Sequence, residues 1–248
     1  MASFERADLS GSEFVDTTLR GSRFVRADLS GVVMREVDVS GADVDAPWLP
    51  HGGPFRVNGV DVAPLVEAEL DRRFPGRAER RARDPEGLRA AWAAVERAWD
   101  AAIDRAAAMP PGSVDVSVAG EWSFAQTLRH LVLVTDVWLR RSVLELERPF
   151  HPIGQIGPGA EEEGFDLSVL SEPEPSYDDV LAVRAERAAM VRDFLASVTP
   201  EELAVPRTNP WAPQHPETTL SCLHVILEEA WEHLRFALRD LDAIEAGA

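Results

Sequence analysis

The sequence has no lysine, one cysteine and only short apolar runs. A single cysteine, Cys222, excludes an internal disulfide and a multi-cysteine metal site. No apolar run approaches the roughly 18 residues that a membrane-spanning helix needs. The first ten residues also lack the basic and apolar regions of a signal peptide. We therefore expect a cytoplasmic protein that does not enter a membrane.

Positive charge is scarce as well. The 25 basic residues are all arginine, and they face 43 acidic residues, which gives a net charge of −18. Nucleic-acid binding rests on clustered positive charge, so we expect no nucleic-acid partner. The acidic excess is typical of a soluble surface. Arginine without lysine, together with frequent alanine, indicates a GC-rich genome and an actinobacterial source.

Residues 2–46 repeat with a period of five: ASFER, ADLSG, SEFVD, TTLRG, SRFVR, ADLSG, VVMRE, VDVSG, ADVDA. The third position is always Phe, Leu, Met or Val, and the first is always Ala, Ser, Thr or Val. This period fits neither a helix nor a flat strand. It predicts a coil with one side per pentapeptide and these two positions inside.

Nine uninterrupted matches resemble the pentapeptide-repeat family, whose chains form a right-handed quadrilateral β-helix. The resemblance implies a short β-coil over residues 1–46, with little more than two turns. Relatives that mimic DNA and bind gyrase are much longer. A structural cap or a small interaction surface is therefore the simpler interpretation of this segment.

A segment rich in proline and glycine, PWLPHGGP, ends the repeats, and Asn58-Gly59 then predicts a tight hairpin within 55–62. Four long amphipathic helices are predicted after it. Their expected extents are from Pro85 onward with Asp84 as N-cap, 121–144, 176–198 with Ser176 and Asp179 as a capping box, and 219–246. We expect an α+β chain: a β-coil (1–46), a linker and hairpin (47–59) and a four-helix bundle (60–248).

Two long connections interrupt the bundle. About 30 residues link the second and third helices, and PRTNPWAPQHPET precedes the fourth. Structureless loops of this length in a compact domain are more often functional lids than idle connectors.

Glu229 and His233 lie four residues apart on the last helix, so they share one face. His130 lies on an apolar face of the second helix, which also directs it into the bundle. Together the three side chains offer nitrogen and oxygen ligands that suit Zn²⁺, Ni²⁺ or Fe²⁺. The residues alone leave a simpler alternative open: a hydrogen-bonded core histidine and a surface ion pair.

The segments GEWSFAQTLRHLVLVTDVWL and HVILEEAWEHLRFALRDL resemble the DinB superfamily of four-helix bundles. In that family a Trp-Ser opens the second helix, a His follows about seven residues later, and the last helix carries a metal-binding pair at i,i+4. Ser123 and His130 match the first part, and Glu229 and His233 match the pair. Many members have His at both positions of the pair, so Glu229 makes this site harder and more anionic.

The resemblance implies a divalent metal, with Zn²⁺ favoured, and two hypotheses for function. The first is a metal-dependent S-transferase that uses a small thiol such as mycothiol and an electrophile, or a metal hydrolase. The second is a non-catalytic metal-binding or scaffold protein. No catalytic acid or base is identified, and the oligomeric state, including a homodimer, stays open.

Other candidate residues fit less well. His224 lies about 180° around the last helix from His233, so the two cannot share an ion. Cys222 is expected to be buried and unreactive. His151 and His215 lie in the long loops, where exposure to solvent is expected.

Overall fold

The computed structural model describes residues 3–157, 160 and 165–247. The chain divides into two compact units, Met1–Asp45 and Ala46–Ala248. Within the described ranges, no helix is both long enough and apolar enough to cross a membrane.

The N-terminal unit repeats one backbone conformation every ten residues. The amide of Ser12 donates to the carbonyl of Leu9 over 3.1 Å, and the same turn recurs at 19–22, 29–32 and 39–42. Glycine occupies the third position of each turn, with φ between 73° and 75°. Positive φ at this position is what a type II turn requires, and glycine adopts it without strain.

This unit does not show the predicted β-helix: no strand is assigned between residues 3 and 45. The apolar third positions, expected inside, are 43–68% exposed. Nine pentapeptides complete little more than two coils. The described residues of this segment therefore do not enclose an apolar interior.

The C-terminal unit begins with the hairpin that Asn58-Gly59 predicted. Strands β1 (Arg56–Val57) and β2 (Val60–Asp61) pair antiparallel. Asn58 has φ of 50° and Gly59 has φ of 82°, so both central residues are left-handed. This is the signature of a type I′ turn. The hairpin prediction is confirmed.

The remaining elements follow in order. They are α1 (Ala63–Arg73), α2 (Pro85–Ala107), α3 (Phe124–Thr135), a π-helix (Asp136–Val143), α4 (Tyr177–Ser197), α5 (Pro200–Leu203), β3 (Pro206–Arg207), β4 (Glu217–Thr218) and α6 (Thr219–Glu245), with short 3₁₀ turns at Arg77–Arg81, Ser113–Asp115 and Leu167–Val169. A further 3₁₀ turn, Leu49–His51, precedes the hairpin. Helices α2, α6, α3 and α4 pack in a ring, in which each contacts the next. This arrangement is a four-helix bundle.

Capping residues set the starts of the long helices. Asp84 accepts from the amide of Gly87 over 2.9 Å, as the sequence predicted for α2. Ser176 accepts from the amide of Asp179 over 3.2 Å, but its hydroxyl also donates to the Asp179 carboxylate. The predicted capping box at α4 is therefore only half formed.

The helix predicted over 121–144 differs from the observed one. Ser123 and Gln126 form a reciprocal capping box, so α3 starts at Phe124. From Asp136 to Val143 the helix widens to π geometry. The wider turn accompanies a completely buried Asp136, which accepts a 2.6 Å hydrogen bond from Arg187 on α4. Such bulges are frequent near functional sites.

Aromatic side chains fix the helices of the core to one another. The indole of Trp92 donates to the carbonyl of Ala188 over 3.3 Å, and that of Trp99 donates to Ala230 over 3.0 Å. Each large apolar side chain thus has a polar end that specifies its partner helix. The two long connections were predicted without regular structure, but their described parts contain some: β3 pairs with β4, and Leu167–Val169 forms a 3₁₀ turn.

Candidate metal centre

Helices α3 and α6 bring His130, Glu229 and His233 together in the bundle. The Nε2 atoms of His130 and His233 lie 3.3 Å and 3.2 Å from the same carboxylate oxygen of Glu229. The two imidazole rings are 4.5 Å apart at their centroids. One potential ligand atom from each residue lies within 4.8 Å of the other two.

All three side chains are mostly buried. The exposed fractions are 17% for His130, 22% for Glu229 and 14% for His233. A surface ion pair between Glu229 and His233 would leave both side chains largely in water, so this arrangement does not match that alternative. Each side chain keeps a minor part of its surface exposed.

The electrostatics of the cluster keep Glu229 ionised. Burial raises the pKa of Glu229, but hydrogen bonds and charge from His130 and His233 outweigh it and lower the pKa to about 2. Burial also lowers the pKa of His233, and the neighbouring His130 lowers it further. Around neutral pH the cluster therefore offers an anionic oxygen beside an uncharged imidazole on α6.

Aromatic side chains surround the imidazoles. The indole of Trp122 lies 4.8 Å from the ring of His130 and stacks 5.9 Å from that of His233. Phe236, one turn along α6, meets His233 edge-on at 5.7 Å. These rings limit the positions that each imidazole adopts and keep water from one side of the cluster.

This donor set fits a divalent first-row ion. Two imidazole nitrogens and one carboxylate oxygen are the ligands that Zn²⁺ and its neighbours prefer. Three protein ligands, rather than four, leave a coordination position for a further molecule. The hydrogen bond that His130 Nδ1 makes to the carbonyl of Gln155 over 3.0 Å leaves Nε2 to face Glu229.

The other candidates lie away from the cluster or lack reactivity. His224 contacts the carbonyl of Ala82 through Nε2 at 2.7 Å. Burial raises the pKa of Cys222 to about 12, so its thiol stays protonated. His151 is half-buried rather than exposed, with its amide donating to Asp136, whereas His215 is exposed as expected.

The sequence did not single out Trp122 or the Gln155 carbonyl. Trp122 carried a signal, since it precedes the helix-opening Ser123 in the quoted motif. Gln155 carried none, because a main-chain carbonyl in an aperiodic loop has no residue-specific pattern.

Acidification is expected to destabilise the metal-free protein, beginning near pH 6.5. In the folded protein the pKa of His233 lies below its ordinary value of 6.5. Its contribution to the free energy of unfolding is therefore present above pH 6.5 and is lost as the pH falls through the lowered pKa. The contribution of Glu229 is lost later, between about pH 4.5 and about pH 2. Thermal melts of the metal-free protein from pH 8 to about pH 2 measure both losses.

In those melts His233→Asn should flatten the fall in melting temperature that begins near pH 6.5. His215→Asn, on an exposed loop, should leave that fall unchanged. A His233→Asn variant that declines as steeply as the parent between pH 7 and pH 5.5 would show that another group titrates there.

Two family models match the chain. The model of the DinB superfamily matches residues 62–237. The pentapeptide-repeat model matches residues 12–45 in eight copies. No curated protein and no solved structure matches the sequence.

Proposed function

The chain belongs to the DinB superfamily, and from this premise we propose that it is a metal-dependent enzyme that transfers a small thiol to an electrophile. The observation that carries the proposal is the partly exposed cluster of His130, Glu229 and His233. Its side chains are 14–22% exposed, and we propose that a small molecule reaches the donor atoms from this exposed side. A purely structural ion site would be closed by a fourth protein ligand.

Each residue of the cluster has a distinct role in this proposal. A divalent ion held there supplies Lewis acidity, which lowers the pKa of a thiol at the open position. Glu229 supplies the negative charge that balances the ion, and its low pKa keeps that charge in place at neutral pH. His130 and His233 supply nitrogen donors, and Trp122 shields both rings from water.

Zn²⁺ is the proposed ion, with Ni²⁺ and Fe²⁺ as alternatives. Imidazole and carboxylate ligands accept all three, and the carboxylate makes the set harder than three imidazoles would be. Mycothiol is the proposed thiol because the lysine-free, arginine-rich composition indicates an actinobacterial source. The electrophile is a small molecule that enters beside Trp122.

The N-terminal repeats have a separate role in the proposal. We propose that residues 1–46 form a short right-handed quadrilateral β-helix that serves as a cap or an interaction surface. The pentapeptide match over 12–45 and the ten-residue recurrence of the turns support it. No candidate ligand lies in this segment, so metal binding is assigned to the bundle.

A non-catalytic metal-binding or scaffold protein is the second candidate. The described groups in contact with the imidazoles are two aromatic rings, Glu229 and a main-chain carbonyl. None of them, apart from the ligand Glu229, is a ready proton carrier, and this observation favours a site that binds without catalysis.

Thiol-conjugation assays separate the two candidates. We expect the Zn²⁺-loaded full chain to accelerate the reaction of mycothiol with a haloalkyl bimane, measured by fluorescence, relative to the reaction without protein. His233→Ala should abolish the acceleration, and His224→Gln should preserve it. A protein that binds Zn²⁺ yet accelerates no reaction of mycothiol, bacillithiol or glutathione would favour the non-catalytic candidate.

A further inference from the structure

Arg129 and His130 are consecutive residues of α3, and both bind the segment between the π-helix and α4. The Arg129 guanidinium donates through Nε to the carbonyl of Ile153 and through Nη1 to that of Pro173, both over 2.7 Å. Its Nη2 reaches the carbonyl of Glu172 at 3.5 Å. One side chain thus ties together two stretches of the segment that are about 20 residues apart.

This guanidinium occupies an unusual position for a charged group. Arg129 is 7% exposed, and its hydrogen-bond acceptors within the described residues are main-chain carbonyls. A buried charge without a hydrogen-bonded carboxylate costs free energy on folding. The charge of Glu172 acts favourably on the guanidinium, but the hydrogen bonds go to main-chain carbonyls and so fix the positions of those carbonyls.

The bonds of Arg129 surround the carbonyl that contacts His130. The amide of Gln155 donates to the main-chain carbonyl of Arg129 over 3.3 Å. Ile153, two residues earlier, is held by the Arg129 side chain. Arg129 therefore holds the stretch 153–155 at both ends, and the Gln155 carbonyl faces His130 Nδ1 at 3.0 Å.

A carbonyl oxygen only accepts, so this contact requires the proton of His130 on Nδ1. The contact leaves Nε2, 3.3 Å from Glu229, as the nitrogen that would bind an ion. The contact also fixes the plane of the ring. Any displacement of residues 153–155 would free the ring to rotate or to change tautomer.

We propose that Arg129 is a positioning residue of the metal centre, which holds Gln155 so that its carbonyl fixes the tautomer and orientation of His130. The proposal rests on the proposed metal centre and extends it to a residue that contacts no ligand atom. Outer-shell partners of this kind change metal affinity by about 10- to 100-fold when they are removed.

The test compares Arg129→Met with Arg140→Met in the full chain. Methionine keeps an unbranched apolar stem and removes every side-chain donor, while the main-chain bond to Gln155 stays. Arg140 is the control because it also binds two carbonyls of the same segment, those of Pro149 over 2.6 Å and Arg148 over 3.1 Å, and it lies in addition 3.4 Å from the Asp136 carboxylate. Its bonds do not adjoin Gln155.

Two readouts decide the result. Long-range ¹H–¹⁵N NMR of the metal-free protein should show His130 protonated at Nδ1 in the parent and in Arg140→Met, and a mixture of tautomers in Arg129→Met. Chelator competition should show Zn²⁺ binding weakened about 10- to 100-fold in Arg129→Met alone. Arg129→Lys, which keeps the charge and one donor group, should fold and give an intermediate result.

Parental tautomer and affinity in both Arg129→Met and Arg129→Lys would overturn the proposal. Equal losses of affinity in Arg140→Met and Arg129→Met would also overturn it, because general ordering of the segment would then explain the effect. If Arg129→Met does not fold, the proposal is tested by comparing Arg129→Lys with Arg140→Met. Parental tautomer and Zn²⁺ affinity in Arg129→Lys would then overturn it. The tautomer is read without metal, so a parent that binds no Zn²⁺ would refute the metal centre while the role of Arg129 is still decided.

Discussion

The His233→Ala variant is expected to lose its divalent ion while the bundle stays folded. Removal of one of three ligands leaves two donors, and we expect affinity to fall by at least about 100-fold, the upper end of what outer-shell changes cost. Elemental analysis of the purified protein and calorimetric titration with Zn²⁺ measure the loss. His130→Ala should behave alike, and His224→Ala, whose imidazole contacts the Ala82 carbonyl, should bind the ion as the parent does.

Changes at Glu229 separate a metal ligand from an ion pair. As a ligand, Glu229→His should retain the ion, because imidazole replaces carboxylate and many DinB proteins carry His there. Glu229→Gln should weaken binding, since a neutral amide is a poorer ligand and removes a compensating charge. If the pair were only electrostatic, Glu229→Gln would be mild and Glu229→His would place three imidazoles together. Unchanged metal content in His233→Ala would end the metal proposal.

The second large effect is expected at Asp136, where removal of a buried charge should destabilise the bundle. Asp136 is completely buried and accepts from Arg187, which is 2% exposed. Asp136→Ala removes the buried carboxylate and leaves Arg187 only the exposed Glu186 as an ion-pair partner, so the free energy of unfolding should fall by about 3 to 5 kcal/mol. Urea denaturation followed by circular dichroism gives the value.

The pair of Arg192 and Glu96 is the matched control, because Arg192 is 57% exposed. Arg192→Ala should change the free energy of unfolding by at most about 1 kcal/mol. The double variant Asp136→Leu with Arg187→Met should recover much of the loss, since neither of the two buried charges remains. A loss in Asp136→Ala no larger than that in Arg192→Ala would show that the buried pair adds little.

The helices of the bundle could be predicted because local signals and burial agree. Asp84 with Pro85 marks the start of α2, and Thr219–Glu245 coincides with the periodic stretch to within one residue at its end. The π-helix could not be predicted, because widening of Asp136–Val143 accompanies a tertiary contact with α4 that leaves no periodic trace.

The candidate site shows the same division. Inward-facing positions on two helices predicted where His130 and Glu229 point, since the apolar neighbours of each lie in the core. The contact of the Gln155 carbonyl could not be predicted, because every residue has a main-chain carbonyl. Only the tertiary structure determines which carbonyl lies beside Nδ1 of His130. The repeats show a third case, in which a strong sequence period occurs with an apolar row that is 43–68% exposed.

Anomalous diffraction at the zinc absorption edge, from crystals of the Zn²⁺-loaded full chain, tests the metal centre most directly. We predict one strong peak about 2.0 to 2.2 Å from Nε2 of His130, Nε2 of His233 and a carboxylate oxygen of Glu229. Anomalous density elsewhere in the chain, with the three side chains still in contact only with one another, would contradict the account.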